Sequence, residues 1–135
     1  MQTTLRQSIG LSGVGVHSGQ TVSLMLHPAD ADAGISFSRT MSDGSREYDI
    51  PADHRHVNTT EYCTSVGVSG ASVATIEHLM ATLRGLQIDN AVIEIDGPEV
   101  PVMDGSAQPF IAAIDQVGVA RLPAPRRLLK VLKPV

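Results

Sequence analysis

The hydrophobic pattern of this chain changes its period near residue 76, from the alternation of a strand to the spacing of a helix. Residues 21–27 alternate apolar and mainly polar side chains up to Pro28, which predicts a half-buried strand. The residues that recur with the i, i+3, i+4, i+7 spacing of one helical face are Ile76, Leu79, Met80 and Leu83. This helix is predicted from Ile76 to Arg84, with Gly85 as its stop signal. The chain therefore combines sheet and helix.

Other segments extend the same mixture. Short strands are predicted over 35–38, 47–50, 62–68 and 91–96. A second helix follows Ser106, has Pro109 in its first turn and ends before Gly118. Its predicted buried residues are Phe110, Ile111, Ile114 and Val117. Several strands with two amphipathic helices predict the α+β class, as a two-layer sandwich in which two helices pack on a mixed, mainly antiparallel sheet.

The composition fits a single modest domain with an aliphatic core. Of the 135 residues, 42% are hydrophobic but only 3% are aromatic. No apolar run approaches the roughly 18 residues that cross a bilayer, so no transmembrane segment is predicted. The single cysteine, Cys63, cannot form an intramolecular disulfide and suits a reducing cytoplasm. The net charge of −4 argues against a nucleic-acid partner, since phosphate binding needs clustered Lys and Arg.

Glu77 and His78 lie side by side in the first turn of the first predicted helix, outside its apolar stripe. Relative to Ile76, they are rotated by about 100° and about 200°, and they flank a polar arc of Ala81 and Thr82. With Thr75 as the predicted N-cap, the positive end of the helix dipole lies beside both residues.

That potential favours an ionised Glu77 and a neutral His78. A neutral imidazole can bind zinc, and a carboxylate can accept a proton from water. The alternative is that Glu77 and His78 lie on a polar surface turn and have no catalytic or metal-binding role.

Two other segments suggest a site only in combination with this pair. Residues 13–19, GVGVHSG, surround His17 with glycines, as expected where backbone closely approaches a ligand or another chain segment. Residues 102–106, VMDGS, precede the second helix and make Ser106 its predicted N-cap. Taken singly, these are ordinary turn sequences.

In this order and spacing, the motifs resemble the amino-terminal half of one family. The segments are LRQSIGLSGVGVH, NTTEYCTSVG and ATIEHLMATLRGLQIDNAVIEIDGPEVPVMDGSAQPF. They are similar to UDP-3-O-acyl-N-acetylglucosamine deacetylase, the zinc amidase of lipid A biosynthesis in Gram-negative bacteria. The resemblance extends from about residue 4 to residue 120.

The resemblance implies a fold, a cofactor and roles for particular residues. It implies that Glu77 is the catalytic general base and that His78 is a zinc ligand. It implies substrate-binding positions at His17 and Cys63, and a structural motif at Asp104 and Ser106. It also implies UDP-3-O-acyl-N-acetylglucosamine as substrate and a second, carboxy-terminal domain that supplies the remaining zinc ligands.

One imidazole does not make a catalytic zinc site, which takes about three protein ligands and a water. The chain has five histidines and no HExxH motif. His54 and His56 with a carboxylate form an alternative metal site that the resemblance does not support. We therefore expect the deacetylase site to be incomplete in this chain.

The carboxyl end is predicted to begin a second domain. Residues 122–125, LPAP, form a stiff linker, and residues 126–133 alternate as a strand without a partner. Residues 121–135 hold five of the ten basic residues and no acid. We thus expect a deacetylase-like domain at 1–120, a linker and first strand at 121–135, and no activity from the chain alone. Two alternatives remain: a non-catalytic module that binds or homodimerises through its uncovered surface, and assembly with a separately encoded second half.

Overall fold

The computed structural model describes residues 1–40 and 47–134, which form ten strands, two α-helices and one 3-10 turn at His54–His56. The first five strands are β1 (Thr3–Leu5), β2 (Ile9–Val14), β3 (Thr21–Pro28), β4 (Ile35–Thr40) and β5 (Glu47–Pro51). The other five are β6 (Val57–Thr59), β7 (Ser65–Val68), β8 (Ala71–Val73), β9 (Ala91–Ile95) and β10 (Val119–Arg121). The helices are α1 (Glu77–Gly85) and α2 (Gln108–Val117).

The strands are arranged in one large and two small sheets. The main sheet has the order β2-β3-β9-β4-β5, in which β4 and β9 are parallel and the other neighbours are antiparallel. A three-stranded sheet has the order β6-β7-β8, and β1 pairs with β10. The predicted α+β sandwich with a mixed, mainly antiparallel sheet is confirmed.

The core lies between the main sheet and the two helices, and it is aliphatic. In β3 the side chains at 22, 24 and 26 are at most 2% exposed, whereas their neighbours at 21, 23 and 25 face solvent. The helices contribute the fully buried Leu79, Leu83, Phe110 and Ile114. Each such side chain stabilises the fold by about 1.5–3 kcal/mol through burial. The apolar stripe of α1 therefore anchors that helix to the sheet, as its spacing predicts.

Some predicted details are wrong. Thr82, expected on a polar arc of α1, is 2% exposed, and its hydroxyl donates to the carbonyls of His78 at 2.8 Å and Ala107 at 3.4 Å. The chain entering α2 covers Thr82 but leaves Ala81 exposed, and the Thr82 hydroxyl is tolerated inside because it is hydrogen-bonded. Ile111 and Val117 are half-buried, not fully buried.

Strand boundaries also differ from the prediction. The strand expected over 62–68 begins at Ser65, because the preceding residues form a bend in which Tyr62 has a φ of 61° and is 91% exposed. Cys63 consequently precedes the strand. Five strands were not predicted: β1, β2, β6, β8 and β10. Four of them have only three residues, too few for a pattern of period two, and β2 contains two glycines.

The strand expected over 126–133, as the start of a second domain, stays a prediction. In this chain residues 126–134 contain no strand, and Val135 lies outside the described residues. A strand requires a hydrogen-bonded neighbour, and none of the described strands pairs with this segment. Leu128, Leu129 and Leu132 are 84%, 93% and 85% exposed. Neither α1 nor α2 is long and apolar enough to cross a membrane, and the described residues contain no other α-helix.

Residues 122–126, in contrast, are fastened to the domain. The Leu122 amide donates to the Gln2 carbonyl at 2.9 Å, and the Gln2 amide donates to the Ala124 carbonyl at 2.8 Å. Arg126 donates through Nε and Nη2 to Asp89 Oδ2 at 3.0 and 2.9 Å. Asp89 lies shortly after the carboxyl end of α1. This attachment therefore fixes where the chain leaves the domain, at the end of α1 opposite Glu77.

The Asp89 carboxylate is the charged centre of this attachment. Burial raises the pKa of Asp89, but hydrogen bonds from Arg126 and from the Thr3 amide and hydroxyl outweigh it, so the pKa lies below the ordinary value. A group with a lowered native pKa contributes stability above its unfolded pKa, and that contribution is lost as the pH falls through the native pKa. The attachment of residues 122–126 is thus acid-sensitive.

We predict that Asp89→Asn loosens this segment. The variant should lower the local stability at neutral pH by about 1–2 kcal/mol, since it removes a partly buried, charge-assisted pair. Amide hydrogen exchange at Leu122 and Ala124 measures the effect, and Asp115→Asn, at an exposed carboxylate of α2, is the matched control.

As the pH falls below the ordinary carboxyl range and through the lowered native pKa of Asp89, the wild type should approach the variant, since Asp89 becomes protonated there. Equal protection of the segment in Asp89→Asn and wild type at pH 7 would contradict this account.

Candidate functional site

Four chain segments meet at the amino end of α1. The Ile76 amide donates to the Thr64 carbonyl at 3.3 Å, which brings residues 63–65 to the start of the helix. The Val100 amide donates to the Ala74 carbonyl, and the Val102 amide to the Val14 carbonyl, both at 3.0 Å. Residues 99–106 therefore connect the helix start to the glycine-rich loop. All of the site residues expected from the sequence lie on these four segments.

Glu77 is the first residue of α1 and is half-buried. Its Oε1 atom accepts a hydrogen bond from the Thr64 amide. Thr64 is thus bonded to the helix start through both its amide and its carbonyl. This pair of bonds fixes the Glu77 carboxylate beside the segment that contains Cys63.

Cys63 lies in the bend before β7, half-buried, with its Sγ atom 4.0 Å from Ser65 Oγ. It neighbours Thr64 in the chain, so its backbone is close to Glu77. The structure therefore brings Cys63 to the same end of α1 as the Glu77–His78 pair, although not within a strand.

His78 is the second residue of α1 and is half-buried. Asp104 lies on the segment that leads into α2. The pKa of the Asp104 carboxyl lies below its ordinary value, chiefly because the Ser106 hydroxyl and amide donate to it, with a smaller contribution from the charge of His78. Thr82, one turn further along α1, donates to the Ala107 carbonyl, so the turn of Asp104 and Ser106 lies beside the same helix.

The predicted helix cap at Thr75 is wrong. Ile76 occupies the cap position with φ and ψ of −83° and −6°, and no side chain caps the helix there. Thr75 instead has a φ of 57°, in the left-handed region, and its hydroxyl donates to Glu99 Oε2 at 2.9 Å. The positive end of α1 beside Glu77 and His78 is thus free of a capping side chain.

Glu99 is the site residue that sequence reasoning missed. It is only 2% exposed, and its Oε1 atom accepts from the amides of His17 at 3.0 Å and Ser18 at 2.6 Å. Burial raises the pKa of Glu99, but the hydrogen bonds from Ser18, Thr75 and His17 lower it by more than burial raises it. The carboxyl therefore has a pKa below its ordinary value. The available signal was a lone acid between apolar residues in GPEVP, since a buried carboxylate must be paired.

The glycine-rich loop is shaped by this carboxylate. A Cβ atom at Gly15 would collide with Glu99 Oε1 and Ser18 Oγ. The predicted close approach of the loop to another chain segment is therefore confirmed. His17 itself is exposed on the turn, and its amide, not its ring, contacts Glu99.

Asp104 and Ser106 form the turn that leads into α2. Asp104 Oδ1 accepts from the Ser106 amide at 2.9 Å and hydroxyl at 2.7 Å, and Ser106 Oγ accepts from the Gln108 amide at 3.1 Å. The cap position of α2 is Ala107, so the predicted N-cap at Ser106 is one residue early. Both side chains are exposed and bonded within the turn.

No complete metal site is found. Within residues 1–40 and 47–134, no three His, Cys, Asp or Glu side chains are grouped so that they could hold a metal ion. His56 Nδ1 contacts Asp53 Oδ1 at 2.8 Å, but no third ligand joins them, so the alternative site with His54 is not supported. His78 remains a candidate for one ligand of a site that needs others.

Comparisons with known proteins agree on one family. The family model described as UDP-3-O-acyl N-acetylglycosamine deacetylase (LpxC) matches residues 2–135. Curated proteins named UDP-3-O-acyl-N-acetylglucosamine deacetylase match at similar levels. The Vibrio cholerae protein is 47% identical over 135 residues, which are 99% of this chain and 44% of that protein.

The Neisseria gonorrhoeae protein is 46% identical over 136 residues, which are 100% of this chain and 44% of that protein. The Nitratidesulfovibrio vulgaris protein is 46% identical over 134 residues, with 99% of this chain and 43% of that protein covered. The chain thus spans less than half the length of these curated relatives. It belongs to the UDP-3-O-acyl N-acetylglycosamine deacetylase family and corresponds to the amino-terminal domain of its members.

Proposed function

We propose that this chain supplies the general base and one zinc ligand of a cytoplasmic deacetylase that removes acetate from UDP-3-O-acyl-N-acetylglucosamine in lipid A biosynthesis. The observation that carries the proposal is the position of Glu77 and His78, adjacent at the amino end of α1 where four chain segments meet. Because the chain belongs to a deacetylase family, we interpret this pair as part of a deacetylase active site.

Glu77 is the proposed general base. Its Oε1 atom is bonded to the Thr64 amide, and we assign Oε2 to accept the proton of the attacking water. A general base must be held within hydrogen-bond reach of the proton that it takes. The Thr64 bond and the buried stripe of α1 restrict the motion of this side chain, which suits that role.

His78 is the residue that would hold zinc, through its imidazole. When bound, zinc polarises the acetamide carbonyl and stabilises the charge that develops on its oxygen. The half-buried ring lies at a helix end without a capping side chain. One ring fits as a single ligand, and the described residues offer no group of three.

The remaining ligands are proposed to come from polypeptide outside this chain. The curated relatives are more than twice as long as the part that matches here, as 44% coverage of the Vibrio cholerae protein indicates. We propose that residues 1–120 form the domain described above and that residues 121–135 are a linker and the start of a second domain. The apolar, exposed Leu128, Leu129 and Leu132 are suited to packing against it.

Substrate contacts are assigned to His17 and Cys63. His17 is exposed on the glycine-rich turn, and Cys63 is half-buried next to Thr64, so both lie on segments that meet at the helix start. Asp104 and Ser106 are assigned a structural role, because their hydrogen bonds stay within the turn that enters α2.

We predict that Glu77→Gln in the complete deacetylase lowers kcat by about 10²–10⁴-fold, the usual contribution of a general base. The amide keeps an oxygen for the Thr64 bond but cannot take a proton. Steady-state kinetics with UDP-3-O-acyl-N-acetylglucosamine measure the effect, with zinc content determined in parallel. Glu94→Gln, at an exposed carboxylate of β9, is the matched control. Wild-type turnover by Glu77→Gln would refute the assignment.

We also predict that the 135-residue chain is inactive alone and binds zinc weakly, because one imidazole gives little affinity. Titration calorimetry with zinc should show no stoichiometric tight site, and His78→Ala should remove the weak binding that remains. Activity should return on mixing with a carboxy-terminal half.

Turnover by the purified chain, abolished by Glu77→Ala, would contradict this prediction. A homodimer without zinc, and without activity on mixing, would instead favour a non-catalytic module.

A further inference from the structure

We infer that Glu99 is a positioning residue of this site: its buried carboxylate joins the His17 loop to the start of α1 and so sets the place of the Glu77 carboxylate. The inference rests on the proposed function, since it is Glu77 that Glu99 would position. Glu99 itself need not touch substrate. Its part is to hold two segments, far apart in sequence, in one arrangement.

The first observation is the pattern of contacts at the two carboxylate oxygens. Oε1 accepts from the amides of His17 and Ser18, and Oε2 accepts from the Thr75 hydroxyl. One oxygen thus binds the glycine-rich loop, and the other binds the residue two positions before Glu77. Hydrogen bonds to an ionised acceptor are roughly twice as strong as those between neutral groups. The carboxylate is therefore a firm bridge between the two segments.

The second observation is the backbone of Thr75. Its φ of 57° lies in the left-handed region, where a β-branched residue is a genuine outlier. Strain of this kind persists only where surrounding contacts impose it, and it is concentrated at functional sites. The hydroxyl bond to Glu99 is such a contact. Thr75 thus connects the buried carboxylate to the direction in which α1 begins.

The third observation is that Glu99 has no freedom to move. Its backbone forms a bridge with Ala74, flanked by the bond from the Ala74 amide to the Pro98 carbonyl at 2.9 Å. On the other side, the carboxylate fills the space that a Cβ atom at Gly15 would need. Because the group is fixed on both sides, a change at Glu99 must be transmitted to the loop and to the helix start.

The chain contains reporters for both ends of this connection. The amides of His17 and Ser18 report on the loop, because they donate to Glu99. The amide of Thr64 reports on Glu77, because it donates to Glu77 Oε1 and makes no contact with Glu99 among the described hydrogen bonds. The amide of Ile93, in the centre of the main sheet, reports on global unfolding.

The test is amide hydrogen exchange in the 135-residue chain carrying Glu99→Gln or Thr75→Val. Each variant keeps the side-chain shape but weakens the bridge. We expect exchange at His17, Ser18 and Thr64 to accelerate by about tenfold or more relative to Ile93, as for the loss of a charge-assisted bond. Thr75→Ser, which keeps the hydroxyl, and Glu94→Gln, at an exposed acid, should leave all three amides near their wild-type rates.

A purely structural Glu99 would give a different result. Exchange would then rise equally at Ile93 and at the three reporter amides, or only at His17 and Ser18. Either outcome, with Thr64 unchanged relative to Ile93, overturns the inference.

The complete deacetylase provides the second arm. Glu99→Gln should lower kcat by about 10- to 100-fold, as small displacements of a catalytic group do. If Glu77→Gln abolishes turnover but Glu99→Gln leaves kcat unchanged, the positioning role is wrong and the proposed function stands. If Glu77→Gln itself retains turnover, the proposed function fails, and the role of Glu99 as a positioning residue fails with it.

Discussion

The site depends on a buried negative charge that is fully hydrogen-bonded. A carboxylate without partners would be strongly destabilising in the interior, yet Glu99 is 2% exposed and keeps a pKa below its ordinary value, because three donors offset the burial. Those donors belong to the glycine-rich loop and to Thr75, two positions before α1. The need to satisfy one charge thus explains the position of Gly15, the strained Thr75 and the meeting of the two segments.

Helix α1 packs against the core and carries two residues of the candidate site. Its buried Leu79 and Leu83 fix it to the sheet, while Glu77 and His78 lie at its uncapped amino end. The opposite end is followed by Asp89, to which Arg126 attaches the departing chain. Since the helix is rigid, the direction of the chain exit and the position of the proposed zinc ligand are related. This arrangement suits a site that further polypeptide completes.

Much of the fold follows from local pattern. The alternation in β3 and the helical spacing of α1 predicted both elements nearly to the residue, because a buried stripe imposes its period on the sequence. The segments of the site were also predicted, since each carries a motif. What the sequence did not reveal is long-range pairing. The local sequence predicts Thr75 as a helix cap, but its hydroxyl donates to Glu99, 24 residues away in the chain. The alternation in 126–133 predicted a strand, but no neighbour pairs with it among the described residues.

We propose that His78 binds a zinc ion together with ligands from other polypeptide. Anomalous diffraction at the zinc edge, from crystals of the complete deacetylase, tests this most directly. The account predicts one zinc peak within bonding distance of the His78 imidazole, with Glu77 beside it and the other ligands from beyond residue 135. A zinc ion coordinated without His78, or a Glu77 carboxylate turned away from it, would contradict the account.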